Sequence, residues 1–261
     1  MLRKLLKYDF RANMKIFLFV WPAILVFAVL EHFMLQANLD DRLMTILVNL
    51  TTMLYGLAIV AACVFALVIS ITRFYSGLLR DEGYLMFTLP VRPWQLIVSK
   101  FLTALVTISI TVLLSILSLS LLPENPHIIV TDMFDGLDSI LNVWGYILFA
   151  LMVLLGLSDQ ILKIYLACAV GHLAKRKRIF FAVLFYYVLN VVLEVSFVAL
   201  FVLVTTNDTL SRLICDIIRP FKTAGGMSAM VLGVIDVILL IAGSIYFFVT
   251  ERILRKHLNL E

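Results

Sequence analysis

The sequence predicts an all-α, polytopic membrane protein with six transmembrane helices, and three observations carry that prediction. Of the 261 residues, 63% are hydrophobic and only 15% are charged, with a mean hydropathy of +1.07. A soluble domain carries charge on about a quarter of its residues. Apolar runs of about 20 residues, the length a helix needs to cross the bilayer core, recur from one end of the chain to the other. Lys and Arg, finally, cluster in alternate connections between those runs. Arg3, Lys4, Lys7, Arg11 and Lys15 precede the first run. Arg73, Arg80, Arg92 and Lys100 follow the second, Lys175 to Arg178 follow the fourth, and Arg252, Arg255 and Lys256 follow the sixth. The remaining connections hold only Arg42, Arg212, Arg219 and Lys222. Positive residues stay on the cytoplasmic side, so both termini are expected there.

The chain opens with MLRKLLKYDFRANM. Leu2, Leu5, Leu6 and Phe10 share one helical face and Arg3, Lys4, Lys7 and Arg11 populate the rest. This predicts an N-terminal amphipathic interfacial helix over residues 1–14, drawn to anionic lipid. Spans follow near 15–35, 46–72, 98–122, 144–173, 179–204 and 228–249, leaving a single transmembrane domain and no room for a soluble one. No basic segment and small-residue cleavage site bracket the first run, so no removable signal peptide is expected.

The longest cytoplasmic interruption is the connector at 73–97. Asp81-Glu82-Gly83 turns the chain, Tyr84-Leu85-Met86-Phe87 is a short apolar piece, and Leu89-Pro90 ends it, since proline disfavours helix in the residue before it. Pro93 suits the first position of the next helix, where its missing N–H is no loss. Apolar residues in a charged loop mark either a docking surface or a segment lying along lipid headgroups. On the other side, Leu210, Leu213, Ile214, Ile217, Ile218 and Phe221 recur at helical spacing. They predict an external amphipathic helix and turn within 205–227, with Asn207 or Asp208 as its N-cap. Asp132, Asp135 and Asp138 accompany a shorter apolar stripe, as either a cation site or one solvated helix face.

DEGYLMFTLPV followed by PWQLIVSK resembles the cytoplasmic connector of ABC-2 type transporter permeases, in particular the small stand-alone permeases of Gram-positive bacteria. KLLKYDF, IYLACAVGHLAKRKR and RKHLNLE are similar to recurring stretches of the same permeases, so the resemblance touches both ends and the middle of the chain. It implies a membrane subunit of an ATP-driven exporter in a bacterial plasma membrane. Two copies of a separate ATP-binding subunit, carrying ATP and Mg, would drive it, and a second permease subunit, identical or similar, would complete the path. Tyr84, Leu85, Met86 and Phe87 would then sit in the ATPase groove, with Arg80, Asp81 and Glu82 as rim charges that set orientation.

Ionisable residues at membrane depth are functional hypotheses by default. Asp159 and Lys163, four apart, share a helix face and can pair; Glu194 sits near the middle of the fifth span and Asp236 in the sixth. They either line a polar path or hydrogen-bond between helices to fix the packing. Glu31 lies near the outer end of the first span, within reach of the interface. An ion-coupled secondary transporter would use the same residues, but no internal repeat with interrupted spans in matching halves occurs. A membrane scaffold or sensor, with the connector as its docking patch, is the reading from a third class.

Catalysis finds no foothold. His32, His127, His172 and His257 are dispersed, no His-Glu-x-x-His or Gly-x-Ser-x-Gly motif occurs, and Asp236 follows Gly233-Val234-Ile235 rather than Gly-x-Gly. No glycine is followed by lysine, which excludes a phosphate loop. Cys63, Cys168 and Cys215 offer neither a disulfide framework nor metal spacing. The net charge of +4 follows membrane sidedness, so no nucleic-acid partner is expected. The chain is expected to be no enzyme and to bind no cofactor or metal of its own, with membrane lipid as its surroundings.

Overall fold

In the computed structural model, the described residues are 2–36, 42–79, 93–122, 136–137, 140–174, 177–207, 209, 212 and 224–256. They form six long helices and, among the described residues, no strand: α1 (Leu2–Gln36), α2 (Arg42–Leu79), α3 (Pro93–Ser120), α4 (Val143–His172), α5 (Arg178–Thr206) and α6 (Ala224–Lys256). Each is long and apolar enough to cross a membrane. The protein is therefore an all-helical, multi-pass membrane protein by length and composition.

The helices begin where local chemistry allows. Pro93 is the first residue of α3, as its fixed φ and absent N–H favour. Asn142 caps α4, its Oδ1 accepting from the Gly145 N–H at 2.8 Å. Lys177, just before α5, has φ 56° and ψ 47°, a left-handed conformation uncommon for a side chain of this size.

Several helices outrun the expected spans, α2 to Leu79 and α6 to Lys256, and the largest difference is at the start of α1. No break separates residues 1–14 from the first span, because α1 runs unbroken through Met14 and Lys15. At 1.5 Å per residue its 35 residues reach about 52 Å and the 38 of α2 about 57 Å, well beyond a hydrocarbon core of about 30 Å. Several turns of each must therefore emerge from the hydrocarbon. In the opening turns Leu5, Leu6 and Asp9 are half-buried, while Phe10 is exposed.

The helices divide into two bodies of three, α1–α3 and α4–α6. In the first, contacts climb α1 and α3 together. Asp9 meets Ser99 and Lys100, Trp21 donates to Thr111 at 3.1 Å, and His32 Nδ1 reaches the Leu121 carbonyl at 2.7 Å. Thus α1 and α3 are parallel. Arg73 donates to the Ala12 carbonyl and Thr52 to Glu31, so α2 runs against them. Phe17, Ile24 and Ala28 are buried at helical spacing on α1. Facing inward from α3 is a stripe of Ser99, Thr103, Thr107, Thr111, Ser115 and Ser118. The hydroxyls from Thr103 onward bond back to carbonyls one turn earlier, which satisfies them inside a helix.

In the second body α4 is central. A Cβ on Gly225 would lie 3.0 Å from that of Asn142, and one on Gly243 would lie 3.6 Å from the Leu162 side chain. Those contacts advance together, so α4 and α6 are parallel. Tyr186 donates to Gln160 at 3.3 Å and Gly171 abuts Ala182, so α5 is antiparallel to α4. A Cβ at Gly171 would fall 2.5 Å from the Ala182 Cβ and 2.7 Å from its backbone. The crossing requires glycine. No residue of α5 is buried, as suits a helix apolar on every side that leaves most of its surface to lipid or to other protein.

Candidate functional site

The connector residues Arg80, Asp81, Glu82, Tyr84, Leu85, Met86 and Phe87 lie outside the described residues. Their two attachment points are described. α2 ends at Leu79 and α3 starts at Pro93, and both roots are firmly packed: Phe74, Leu78, Leu96 and Ile97 are fully buried. The first helix reaches across both. Asp9 Oδ1 accepts from Lys100 Nζ at 2.5 Å, and Asp9 Oδ2 accepts from the Ser99 hydroxyl. The Lys100 stem passes over Gly77, where an added Cβ would lie 3.3 Å from Lys100 Cε. Arg73, one turn before Gly77, donates to the Ala12 carbonyl at 2.9 Å. Hydrogen bonds to charged groups are the stronger kind, and three of them here join separate helices.

Of the membrane-depth residues, the structure brings two together. Lys163 Nζ lies 2.9 Å from Asp159 Oδ2, as their spacing predicts, and both side chains are buried. Lys163 also stands 6.0 Å from the centroid of the Tyr246 ring on α6, within reach of a cation–π attraction. Asp159 Oδ1 is buried and has no hydrogen-bond partner among the described residues. Asp236 is separate. It precedes Tyr246 by ten residues, about 15 Å along the helix, and both its oxygens are buried with no hydrogen-bond partner among the described residues. Glu194 is exposed on α5. Asp159, Lys163, Glu194 and Asp236 therefore do not form one polar centre within this body. Among the described residues, no group of three His, Cys, Asp or Glu side chains is placed to hold a metal.

Two polar places escaped the sequence reading. Glu31 is packed inside the first body. It is 1% exposed, accepts from the Thr52 hydroxyl, and leaves Oε2 buried without a partner. One turn along α2, Tyr55 OH bonds Ser118 Oγ of α3 at 2.7 Å. The α1 helix is packed on this side all the way to its end, which position along the chain does not reveal. Asp9 was the other omission. It is the one acidic residue among Arg3, Lys4, Lys7, Arg11 and Lys15, and that oddity in an otherwise basic segment was the available signal. The fourfold spacing of Ser and Thr along α3 was equally visible.

Comparison of the chain with protein-family models, with curated proteins and with solved structures finds no match in any of the three.

Proposed function

We propose that this chain is the membrane-spanning permease subunit of an ABC-2 type ATP-driven transporter, an exporter, working with a separate ATP-binding subunit. One observation carries the reading: the connector DEGYLMFTLPV, followed by PWQLIVSK, stands between the second and third of six apolar helices. The chain holds no phosphate loop, so energy would enter through a partner, and a charged loop bearing Tyr84 to Phe87 is suited to receive it. Two ATPase copies and a second permease subunit, identical or similar, complete the assembly in a bacterial plasma membrane. The Lys and Arg distribution supports cytoplasmic termini, and the exposed Arg3, Lys4, Lys7 and Arg11 suit the opening turns of α1 to an anionic headgroup layer.

The test is co-purification from detergent-solubilised membranes. Wild type is expected to bring down an ATP-hydrolysing subunit, and the double variant Tyr84→Ala, Phe87→Asp to lose it while keeping its thermal stability. If wild type retains no ATPase under conditions that preserve its helices, the proposal is wrong.

A second reading, ion-coupled secondary transport, is favoured by Asp236, whose carboxyl oxygens are both buried and unpartnered. Such a group is expensive to retain without a task. In that case Asp236→Asn would abolish substrate movement driven by a proton or sodium gradient, with no dependence on ATP.

A further inference from the structure

Along the chain the connector follows the end of α2 and precedes the start of α3, and α1 bonds close to both. On α3, consecutive residues Ser99 and Lys100 each bond a different oxygen of the Asp9 carboxylate. On α2, Arg73 bonds the Ala12 carbonyl, three residues further along α1. The ring is closed between α2 and α3 where the Lys100 stem lies against Gly77, with room for little more than hydrogen there. Displacing either root along the helix axes must therefore carry α1 with it or break a charged hydrogen bond. Asp9 is the pivotal member, because it receives two bonds from the root of α3. Its neighbours Arg3, Lys4, Lys7 and Arg11 face outward.

We infer that Asp9 is a positioning residue for the connector: by holding Ser99 and Lys100 it ties the connector's roots to α1 and sets how strongly the membrane subunit governs ATP turnover in its partner. The inference rests on the ATP-driven reading above. A transmitting segment can pass on force only if its roots do not slip, and packing alone, through Phe74, Leu78, Leu96 and Ile97, resists sliding less sharply than directional bonds.

The experiment uses the full-length protein, purified in detergent with the ATPase it retains, as wild type, Asp9→Asn and Asp9→Glu. Three quantities are read: ATPase retained per permease, thermal stability, and the ratio of ATP turnover in the complex to that of the isolated ATPase. Asp9→Asn is expected to keep retention while that ratio moves toward one by about fivefold or more, the low end of a typical coupling between sites. Asp9→Glu, which keeps the charge, is expected to return the ratio toward wild type. Should Asp9→Asn fold poorly, Gly77→Ala displaces the Lys100 stem without removing a charge and is expected to shift the ratio in the same direction by less. An unchanged ratio in both variants overturns the inference. So does a parallel fall in retention, stability and ratio without rescue by Asp9→Glu, the pattern of a purely structural staple. A wild type that retains no ATPase removes the ATP-driven reading itself and this inference with it, a result distinct from the other two.

Discussion

The two three-helix bodies solve one problem, holding helices together where hydrophobic burial offers little, by different means. Within a bilayer the hydrocarbon is as apolar as the side chains, so association depends on close packing and on hydrogen bonds between helices. The α1–α3 body relies on hydrogen bonds. Asp9–Lys100, Arg73–Ala12, Trp21–Thr111, Thr52–Glu31 and Tyr55–Ser118 each join two helices, and they occur from one end of the body to the other. The α4–α6 body relies more on close approach, at Gly171 and Gly225, beside a Tyr186–Gln160 bond of 3.3 Å. Its buried ion pair lies within one helix, and Asp236 has no hydrogen-bond partner among the described residues. A body cross-linked by polar pairs has its geometry set at many heights. One held by glycine contacts keeps freer surfaces and polar capacity not used in packing.

This contrast can be broken by substitution. The largest effect is expected from Lys163→Met, which strands the buried Asp159 carboxylate; removing one member of a buried pair costs about 3–5 kcal/mol. Replacing both, as Asp159→Leu with Lys163→Met, should recover most of that loss. Thermal melting in detergent checks both, and equal losses in the single and double variants would mean that the pair serves more than itself. Next comes Gly171→Ala. The added methyl meets Ala182 at 2.5 Å, and overpacking of this kind costs about 1–3 kcal/mol. The same melting assay should show a clear fall, and a silent substitution would show that α5 is not seated on α4 as described. Thr111→Val, which removes the Trp21 acceptor from the first body, is expected to cost about 0.6 kcal/mol and at most about 1.7, the measured range for bonds between membrane helices. Its Trp21 fluorescence should shift as well. The smallest change, with the opposite sign, is expected for Asp236→Leu: losing an unpartnered buried carboxyl should leave melting unchanged or raise it. A marked drop would reveal a partner for Asp236 and erase the contrast between the bodies.

Much of the fold was legible before any coordinates. The six apolar stretches correspond to six helices, the predicted start at Pro93 is the first residue of α3, and Asp159 and Lys163 pair at the expected i, i+4 spacing. Asn207, expected alongside Asp208 as an alternative N-cap of an external helix, is the C-cap of α5, and its Oδ1 accepts from the Thr209 N–H at 3.1 Å; the helix expected after it lies largely outside the described residues. Less was legible in the polar interior. Glu31, expected within reach of the interface, is buried, and Asp9, in an otherwise basic segment, turns toward α3. The two share a cause, since each concerns which way a side chain on a correctly identified helix faces.

By itself, then, the amino-acid sequence determined the elements: their number, their helical nature and most of their ends. Hydropathy over about 20 residues, proline geometry and i, i+4 spacing are properties of consecutive residues and need no partner. Tertiary structure decided what those elements do with their polar groups. Asp9 clasps a residue 91 positions away, Trp21 one 90 away, Glu194 faces outward and Asp236 inward. Those outcomes depend on which helix lies alongside and at what height. That is set by packing between distant parts of the chain, to which local pattern is blind.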